Sequence, residues 1–200
     1  MLFTCKDFNE LYISALTYVQ EQYQFYHAPR GQYEYEILGF SAELLNPQFR
    51  YCLNSARRQN IVYNYAEALW YFSGKNDLEF IQYYEPAMAL YSADGKILPG
   101  TGYGPKMRAF GQQKFDQIER VIEVMKHDDQ NTKRAVLQLF DANEDIFQRN
   151  IDVSCTIALQ FFLREGRLHM ISYMRANDAY GSFMGDVFSF TFLQEYLAVR

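Results

Sequence analysis

The sequence has few of the residues that build disulfide frameworks and metal centres, with three cysteines and three histidines among 200 residues. Cys5, Cys52 and Cys155 are far apart and form no Cys-x-x-Cys pair, and the histidines show no ligand spacing. The pattern therefore predicts neither a disulfide scaffold nor a metal site, and it fits a protein of the reducing cytoplasm.

The sequence also lacks an excess of positive charge and a long apolar run. Its net charge is −5, whereas a nucleic-acid-binding domain needs a basic face. No apolar run reaches the roughly 18 residues that cross a membrane, and the N-terminus has no charged-then-apolar signal region. We therefore expect neither a nucleic-acid partner nor a membrane.

Apolar residues, by contrast, are abundant. They make up 49% of the chain and include 17 tyrosines and 17 phenylalanines. This content can fill one core, so we expect a single domain over residues 1–200. Many tyrosines suit a wet cleft or an interface, because each has an apolar body and a polar tip.

The apolar spacing predicts a mixed α+β fold in which helices cover a sheet. Helices are predicted near 6–23, 58–72 and 183–198, in "LEFIQYY" after Asp77, and around Phe115–Met125. Strands are predicted at 32–40 and 134–140, with a hairpin over 156–174 that turns at "REGR". The glycine-rich segment 92–108 is predicted to be a loop.

One cysteine stands out because of its place beside the predicted hairpin. Cys155 precedes the first strand, and Arg175 ends the second strand 20 residues later. The two can therefore lie opposite each other, and a guanidinium favours the nucleophilic thiolate. The residues alone also allow a buried structural thiol, and an arginine that pairs with Asp178.

Several segments, from about residue 30 to the end, resemble thymidylate synthase and related pyrimidine nucleotide C5-hydroxymethylases. Each motif is weak alone, and their order and spacing make the signal specific. They are "AEALWYFSG" (66–74), "GYGPKMRAFG" (102–111), Asp116–Gln117, Lys133–Arg134, Cys155, "LQFFLREGRLHM" (159–170) and "MRANDAYGSFMGD" (174–186). The resemblance implies the family's α+β fold, in which one sheet face forms a homodimer interface.

The resemblance also implies a mechanism. The Cys155 thiolate would add to C6 of a pyrimidine nucleotide and make C5 a carbon nucleophile, which attacks the one-carbon unit of 5,10-methylenetetrahydrofolate. Loss of the C5 proton and of tetrahydrofolate would leave an exocyclic methylene. Hydride would convert that group to methyl, and water would convert it to hydroxymethyl.

Catalytic and folate-binding roles come by position from the resemblance. Arg175 would support the thiolate, Glu67 would order water and move protons, and Tyr103 would lie near the C5 proton. Asp178 matches the aspartate that binds the folate pterin ring. Arg57 falls near the folate tail.

The resemblance implies a phosphate site as well. Arg30 matches the mobile phosphate-binding arginine in the first loop. Lys133 and Arg134 match a pair that reaches the phosphate of the partner subunit, which makes the homodimer obligate. The residues alone also allow a solvated charge pair before a strand.

Asp186 departs from the thymidylate synthase pattern, which has an asparagine there to recognise uracil. A carboxylate only accepts hydrogen bonds, which suits the 4-amino group of cytosine and a protonated N3. The phage deoxycytidylate hydroxymethylases share this aspartate. The other interpretation of Asp186 is an N-cap of the following helix.

Further departures affect the sugar, the phosphate and the product. Ser154 precedes the cysteine in place of the proline usual in thymidylate synthase, and Thr156 follows it in place of histidine, which is also the hydroxymethylase pattern. Ala176 replaces a phosphate-holding serine, and Lys133 replaces an arginine, whose bidentate fork lysine lacks. These changes resemble cytidylate hydroxymethylases of nucleoside-antibiotic pathways such as mildiomycin. The family's tryptophan, which shields the exocyclic methylene, should fall near Met88–Ala89, but the one tryptophan of this sequence is Trp70. A less shielded methylene is more open to water, which favours hydroxymethylation.

These observations predict conversion of CMP to 5-hydroxymethyl-CMP with a folate co-substrate and no metal. A dCMP hydroxymethylase, a methyl-transferring synthase and a non-enzymatic nucleotide- or RNA-binding relative are the alternatives. Family members continue to a His-x-Tyr pair that holds the sugar hydroxyls and to a closing tail. No such pair precedes Arg200, so we expect either that this part of the fold is missing or that the sugar is held differently.

Overall fold

The structure is a computed structural model that describes residues 2–147 and 149–200, and of Arg30 it describes the main chain alone. The chain divides into two compact units. The first contains Met1–Gln59 and Asp178–Thr191, and the second contains Asn60–Asn177 and Phe192–Arg200. The prediction of a single domain stays a prediction. Helices and sheets are mixed, which confirms the predicted α+β class.

The first unit is built around one helix and two short sheets. Helix α1 (Phe8–Gln22) begins where the Asp7 carboxylate accepts a hydrogen bond from the Glu10 amide at 2.9 Å. Strand β1 (Leu2–Cys5) pairs in parallel with β4 (Ser41–Leu44), and β2 (Phe25–His27) pairs antiparallel with β3 (Glu34–Glu36). The helix buries its apolar face in a cluster with Cys5, Cys52 and Met184.

The predicted strand over 32–40 is shorter in the structure. Only Glu34–Glu36 forms a strand. Beyond it, the Leu38 amide donates to the Gln24 side chain, and Gly39 has φ 72°. A left-handed backbone turns the chain and ends the ladder.

The second unit begins with two capped helices. Helix α2 (Ile61–Phe72) starts at Asn60, whose side chain accepts from the Tyr63 amide at 3.1 Å. It ends before Gly74, which has φ 76° and closes the helix as predicted. Helix α3 (Leu78–Tyr84) is capped by Asp77, again as predicted. A 3₁₀ helix comes next, at Pro86–Tyr91.

The segment predicted to be a loop over 92–108 contains a helix, α4 (Gly104–Arg108). The loop prediction is wrong there. Gly104 and Pro105 indicate a turn in sequence, but proline fits the first turn of a helix, where its missing amide has no partner to lose. Helix α5 (Gln117–Glu123) continues as a π-helical turn at Val124–Asp128.

A three-stranded antiparallel sheet completes the second unit, in the order β5 (Val136–Gln138), β6 (Thr156–Arg164), β7 (Arg167–Met174). Helix α6 (Ala142–Asp145) lies between the first two strands in the chain. Glu165 and Gly166 join β6 to β7 with φ values of 51° and 71°. Two consecutive positive φ values are typical of the tightest hairpin turns. The predicted hairpin is confirmed.

The sheet has one buried face and one exposed face. Leu137, Leu159 and Phe161 are fully buried on the first. Val136, Ile171 and Tyr173 are exposed. Helix α7 (Ser182–Val199), predicted at 183–198, ends the chain and contributes residues to both units. No helix of the described chain is long and apolar enough to span a membrane.

Candidate active site

The two ends of the β6–β7 hairpin bring Cys155 and Arg175 together, as predicted. The Arg175 amide donates to the Cys155 carbonyl at 2.9 Å. Its guanidinium donates through Nε to the Ser154 carbonyl at 2.8 Å and through Nη2 to the Val153 carbonyl at 3.2 Å. Nη2 lies 3.9 Å from the half-buried Cys155 Sγ. A positive charge at this distance is suited to supporting a thiolate nucleophile.

Tyr103 contacts the residue next to the cysteine. Its hydroxyl donates to Thr156 Oγ1 at 3.1 Å and accepts from the Thr156 amide at 3.2 Å. The ring is 3% exposed and packs against Tyr71. The Tyr103 hydroxyl therefore contacts Thr156, which is the first residue of β6 and follows the cysteine directly.

Glu67 lies on α2 and is buried, with 7% of its surface exposed. Its Oε1 accepts a hydrogen bond of 2.7 Å from the hydroxyl of Tyr63, one helical turn earlier. The same hydroxyl lies 3.6 Å from Met88 Sδ. Met88 stands where the resemblance places the family's tryptophan, so a flexible thioether packs beside the Glu67–Tyr63 pair.

The structure reveals a buried ion pair that the sequence pattern did not predict. Lys106 Nζ lies 3.0 Å from Asp145 Oδ2, and their side chains are 8% and 1% exposed. Nζ also donates to Ser154 Oγ at 2.6 Å, and the Ser154 amide donates to Asp145 Oδ1 at 2.8 Å. Ser154 Oγ in turn donates to the Gly100 carbonyl at 3.2 Å. The ion pair therefore fixes the residue directly before the cysteine.

The ionisation of Asp145 is favoured by its partners. Burial raises the pKa of this carboxyl, but hydrogen bonds from the Ser154 and Asp141 amides and the charge of Lys106 outweigh burial. The pKa therefore lies below its ordinary value. The group stays a carboxylate in the folded protein.

Asp152 forms a second buried anchor. Its carboxylate accepts from the Gly100 amide at 2.8 Å, from the Thr101 amide at 2.9 Å and from Thr101 Oγ1 at 2.5 Å. A Cβ atom at Gly100 would overlap the Asp152 carbonyl, so a side chain there would force the two segments apart. Charged residues are usually exposed, which is why sequence patterns carry no signal for the burial of Lys106, Asp145 or Asp152.

The predicted phosphate residues lie before and after the sheet. Lys133 and Arg134 precede β5 and line a surface cavity of about 620 Å³. Its lining comprises Asp129, Asn131, Thr132, Lys133 and Arg134, and does not include Cys155. Arg134 forms an ion pair of 2.8 Å with Asp128. Ala176 is exposed next to Arg175, and the side chain of Arg30 lies outside the described part of the structure.

The two predicted folate residues meet on one short segment of the first unit. Asp178 accepts from the Tyr180 amide at 2.9 Å. Arg57 donates to the Tyr180 carbonyl at 3.3 Å and to the Tyr12 hydroxyl at 3.1 Å, with its guanidinium 4.6 Å from the centre of the Tyr180 ring. Burial raises the pKa of Tyr12 although Arg57 opposes the shift, so this phenol is neutral.

Asp186, the predicted base reader, also belongs to the first unit. It is half-buried and lies within α7, four residues after Ser182. An N-cap stands at the start of a helix. The alternative interpretation of Asp186 as the cap of this helix is therefore wrong.

One cluster of potential metal ligands is not evident from the histidine spacing. The β2–β3 register brings His27, Glu34 and Glu36 together, with ligand atoms within 4.8 Å of one another. His27 Nε2 lies 3.4 Å from Glu34 and 3.6 Å from Glu36. All are at the surface or only partly covered, and exposed acidic groups commonly cluster in this way without a metal ion.

Comparison with known proteins gives a family and several relatives. Residues 12–200 match the model of the thymidylate synthase family. The chain is 31% identical over 157 residues to a deoxyuridylate hydroxymethyltransferase of Pseudomonas phage M6, covering 77% of this chain and 43% of that protein. It is 30% identical over 181 residues to the protein of the same description from Bacillus phage SP01, covering 86% and 47%.

A third relative, the deoxyuridylate hydroxymethyltransferase of Delftia phage PhiW-14, is 29% identical over 167 residues, covering 78% of this chain and 45% of that protein. The chain thus spans less than half the length of each of these three relatives.

We predict that in Asp145→Asn the free energy of unfolding depends less on pH in the acid range than it does in wild type. Because the folded-state pKa of Asp145 is lowered, its carboxylate stabilises the fold above about pH 4 and this contribution is lost as the pH falls through the folded-state pKa. The variant lacks the contribution at every pH and leaves Lys106 without its buried carboxylate partner, which costs about 3 kcal/mol near neutrality.

Urea unfolding at a series of pH values measures this. The Asp145→Asn variant should lose less free energy of unfolding than wild type between neutral pH and about pH 2. Glu123→Gln, which removes an exposed partner of Arg120, should run parallel to wild type. Equal acid slopes for Asp145→Asn and wild type would contradict the prediction.

Proposed function

Because the chain belongs to the thymidylate synthase family, we propose that it is a folate-dependent 5-hydroxymethyltransferase acting on a pyrimidine nucleotide. The observation that carries the proposal is the half-buried Cys155 thiol, 3.9 Å from Arg175 Nη2 at the open end of a hairpin. The descriptions of the phage relatives support hydroxymethyl transfer over methyl transfer.

In the proposed reaction the Cys155 thiolate attacks C6 of the pyrimidine. The S–C6 bond forms as the electrons of the C5–C6 double bond move toward C5, which becomes nucleophilic. The Arg175 guanidinium, 3.9 Å from the sulfur, favours the thiolate form that attacks. We assign Tyr103, whose hydroxyl bonds to Thr156 next to the thiol, to removal of the C5 proton.

The second half of the reaction needs water at C5. Methylenetetrahydrofolate, when bound, supplies the one-carbon unit that C5 takes up. Loss of the C5 proton then expels tetrahydrofolate, as the bond from the one-carbon unit to its nitrogen breaks, and leaves a methylene on C5. Glu67 is buried and accepts from Tyr63, so it can hold a water molecule and exchange a proton with it. Addition of that water to the methylene on C5, with subsequent release of Cys155 from C6, gives the hydroxymethyl group.

The residues proposed for folate have suitable chemistry. The exposed Asp178 carboxylate offers acceptor capacity beyond its bond to the Tyr180 amide, which suits the N–H donors of a pterin ring. The Arg57 guanidinium lies above the Tyr180 ring, where it can attract the carboxylate tail of the folate. The two roles remain proposals for this chain.

We propose cytidylate as the nucleotide. The support is Asp186, whose acceptor-only carboxylate matches an amino group and a protonated ring nitrogen. Ala176 and Lys133 stand in place of the serine and arginine that the family uses in its deoxynucleotide site. The phosphate and sugar contacts therefore differ from the family's, and we take this to favour CMP over dCMP. Deoxyuridylate is the second candidate, because it is the substrate named in the descriptions of the phage relatives.

We further propose a homodimer formed through the exposed face of the sheet. Val136, Ile171 and Tyr173 are 41%, 45% and 43% exposed there, although they lie on paired strands. An apolar sheet face of this kind is suited to burial against a second copy. Lys133 and Arg134, beside β5, would then reach the phosphate in the partner's site.

The first prediction of this proposal concerns turnover. Tritium release from C5 of CMP, dCMP and dUMP, with methylenetetrahydrofolate and mass analysis of the product, should show release from CMP with gain of one CH2O unit. Cys155→Ala should bind nucleotide but lose turnover by a factor of about 10⁴ or more, since it has no nucleophile.

The control is Cys52→Ala, which removes a buried thiol of the first unit and should keep turnover. Faster release from dUMP would replace cytidylate by the second candidate. Gain of CH2 would mean a methylase. Absence of release from all three nucleotides would refute the enzyme.

The second prediction concerns the base. Asp186→Asn should shift the ratio of kcat/KM for CMP over UMP toward UMP by about tenfold or more, because an amide offers uracil one donor and one acceptor. Asp94→Asn, at an exposed loop, is the control for a lost carboxylate. An unchanged ratio in Asp186→Asn would remove Asp186 from base recognition.

The third prediction concerns the dimer. Sedimentation velocity should show a dimer for wild type and a monomer for Ile171→Glu, because a buried unpaired carboxylate at the interface costs several kcal/mol, on the order of 3. Leu90→Glu introduces the same charge at a residue that is 80% exposed off the sheet, and it should stay dimeric. A dimeric Ile171→Glu protein would contradict the proposed interface.

A further inference from the structure

We propose that Lys106 and Asp145 are positioning residues for the nucleophile: through Ser154 they hold the Cys155 thiol beside Arg175. The inference rests on the proposed function, in which Cys155 attacks the substrate. It adds two residues that do not touch the thiol and act through a neighbour.

Ser154 is fully buried, and each of its polar atoms takes part in a hydrogen bond. Its amide donates to Asp145, its hydroxyl accepts from Lys106 and donates to Gly100, and its carbonyl accepts from Arg175. A buried group in this state moves only if several hydrogen bonds break together. Ser154 is therefore a fixed point one peptide bond from the nucleophile.

Ser154 also contacts Arg175, the charge partner of the thiol. Arg175 is held by main-chain oxygens of Val153, Ser154 and Cys155, through Nη2, Nε and its own amide. The position of its guanidinium therefore depends on the position of these residues. The 3.9 Å approach of Nη2 to the sulfur is set by where Ser154 lies.

The ion pair of Lys106 and Asp145 provides hydrogen bonds to Ser154 as well as charge. Desolvation makes a buried ion pair a poor source of stability compared with apolar residues of equal volume. Apolar side chains, however, could neither donate to Ser154 Oγ nor accept from its amide. The pair thus has an orienting role that packing cannot supply, and Glu144, 3.5 Å from Lys106, adds a second carboxylate to it.

The test measures the rate at which iodoacetamide alkylates Cys155 in the full chain, without nucleotide or folate. Peptide mass analysis separates Cys155 from Cys5 and Cys52, which are buried. The variant is Ser154→Ala, which removes the hydroxyl with little change in volume. The rate is measured under conditions in which circular dichroism shows the protein to be folded. It is then divided by the alkylation rate of the same variant unfolded in urea.

We expect Ser154→Ala to slow alkylation of Cys155 about tenfold, because a thiol displaced from its guanidinium is ionised to a smaller extent. Gln194→Leu is the matched control. It removes one partly buried side-chain hydrogen bond, to the Leu168 carbonyl near the turn end of the hairpin, and should alkylate at the wild-type rate. An unchanged or higher rate in Ser154→Ala would overturn the proposal.

The double variant Lys106→Met with Asp145→Asn tests the pair itself. It removes both charges, so no buried charge is left unpaired, and it should fold where Lys106→Met alone could fail. We expect it to slow alkylation as Ser154→Ala does. A double variant with the wild-type alkylation rate would show that the pair serves stability alone.

Turnover separates the two proposals. If wild type turns over, Ser154→Ala should lower kcat and leave the KM for nucleotide unchanged. If wild type shows no turnover with any nucleotide but alkylation slows in Ser154→Ala, the proposed function fails and the positioning role stands. If wild type turns over but Ser154→Ala changes neither the alkylation rate nor kcat, the proposed function stands and the positioning role fails.

Discussion

The register of the β6–β7 hairpin is the constraint on which the rest of the site depends. Arg164 pairs with Arg167 at the turn and Thr156 pairs with Met174 at the open end. Because side chains alternate between the faces of a strand, a slip of one residue would expose Leu159 and Phe161 and separate Cys155 from Arg175. The same pairing thus fills the core and brings the Arg175 guanidinium to within 3.9 Å of the Cys155 thiol.

The segment before the cysteine is fixed by charge rather than by packing. Asp152 and Asp145 together accept main-chain hydrogen bonds from Gly100, Thr101, Asp141 and Ser154. Each carboxylate is buried and would be costly without such partners. With these hydrogen bonds made, the Asp145 and Asp152 carboxylates hold an irregular stretch of chain in place. The nucleophile proposed for this stretch requires such support, because it lies outside regular structure.

The chemistry proposed for the site uses residues from several parts of the second unit. Glu67 comes from α2, Tyr103 from the start of α4, and Cys155 and Arg175 from the ends of two strands. Tyr103 reaches the strand by hydrogen bonds to Thr156 in both directions. Tyr103 therefore reaches the residue next to the thiol through the fold, although it is distant in sequence.

Sequence alone determined the features that depend on neighbours in the chain. Asp7 and Asp77 cap helices because a side-chain carboxylate reaches an amide three residues on, and Glu165–Gly166 turns the hairpin because of local backbone preferences. The juxtaposition of Cys155 and Arg175 is a consequence of that turn. Tertiary structure alone decided the pairing of Lys106 with Asp145 and Ser154, 39 and 48 residues away. A buried charge has no local signal, since its stability comes wholly from partners that only the fold brings within reach.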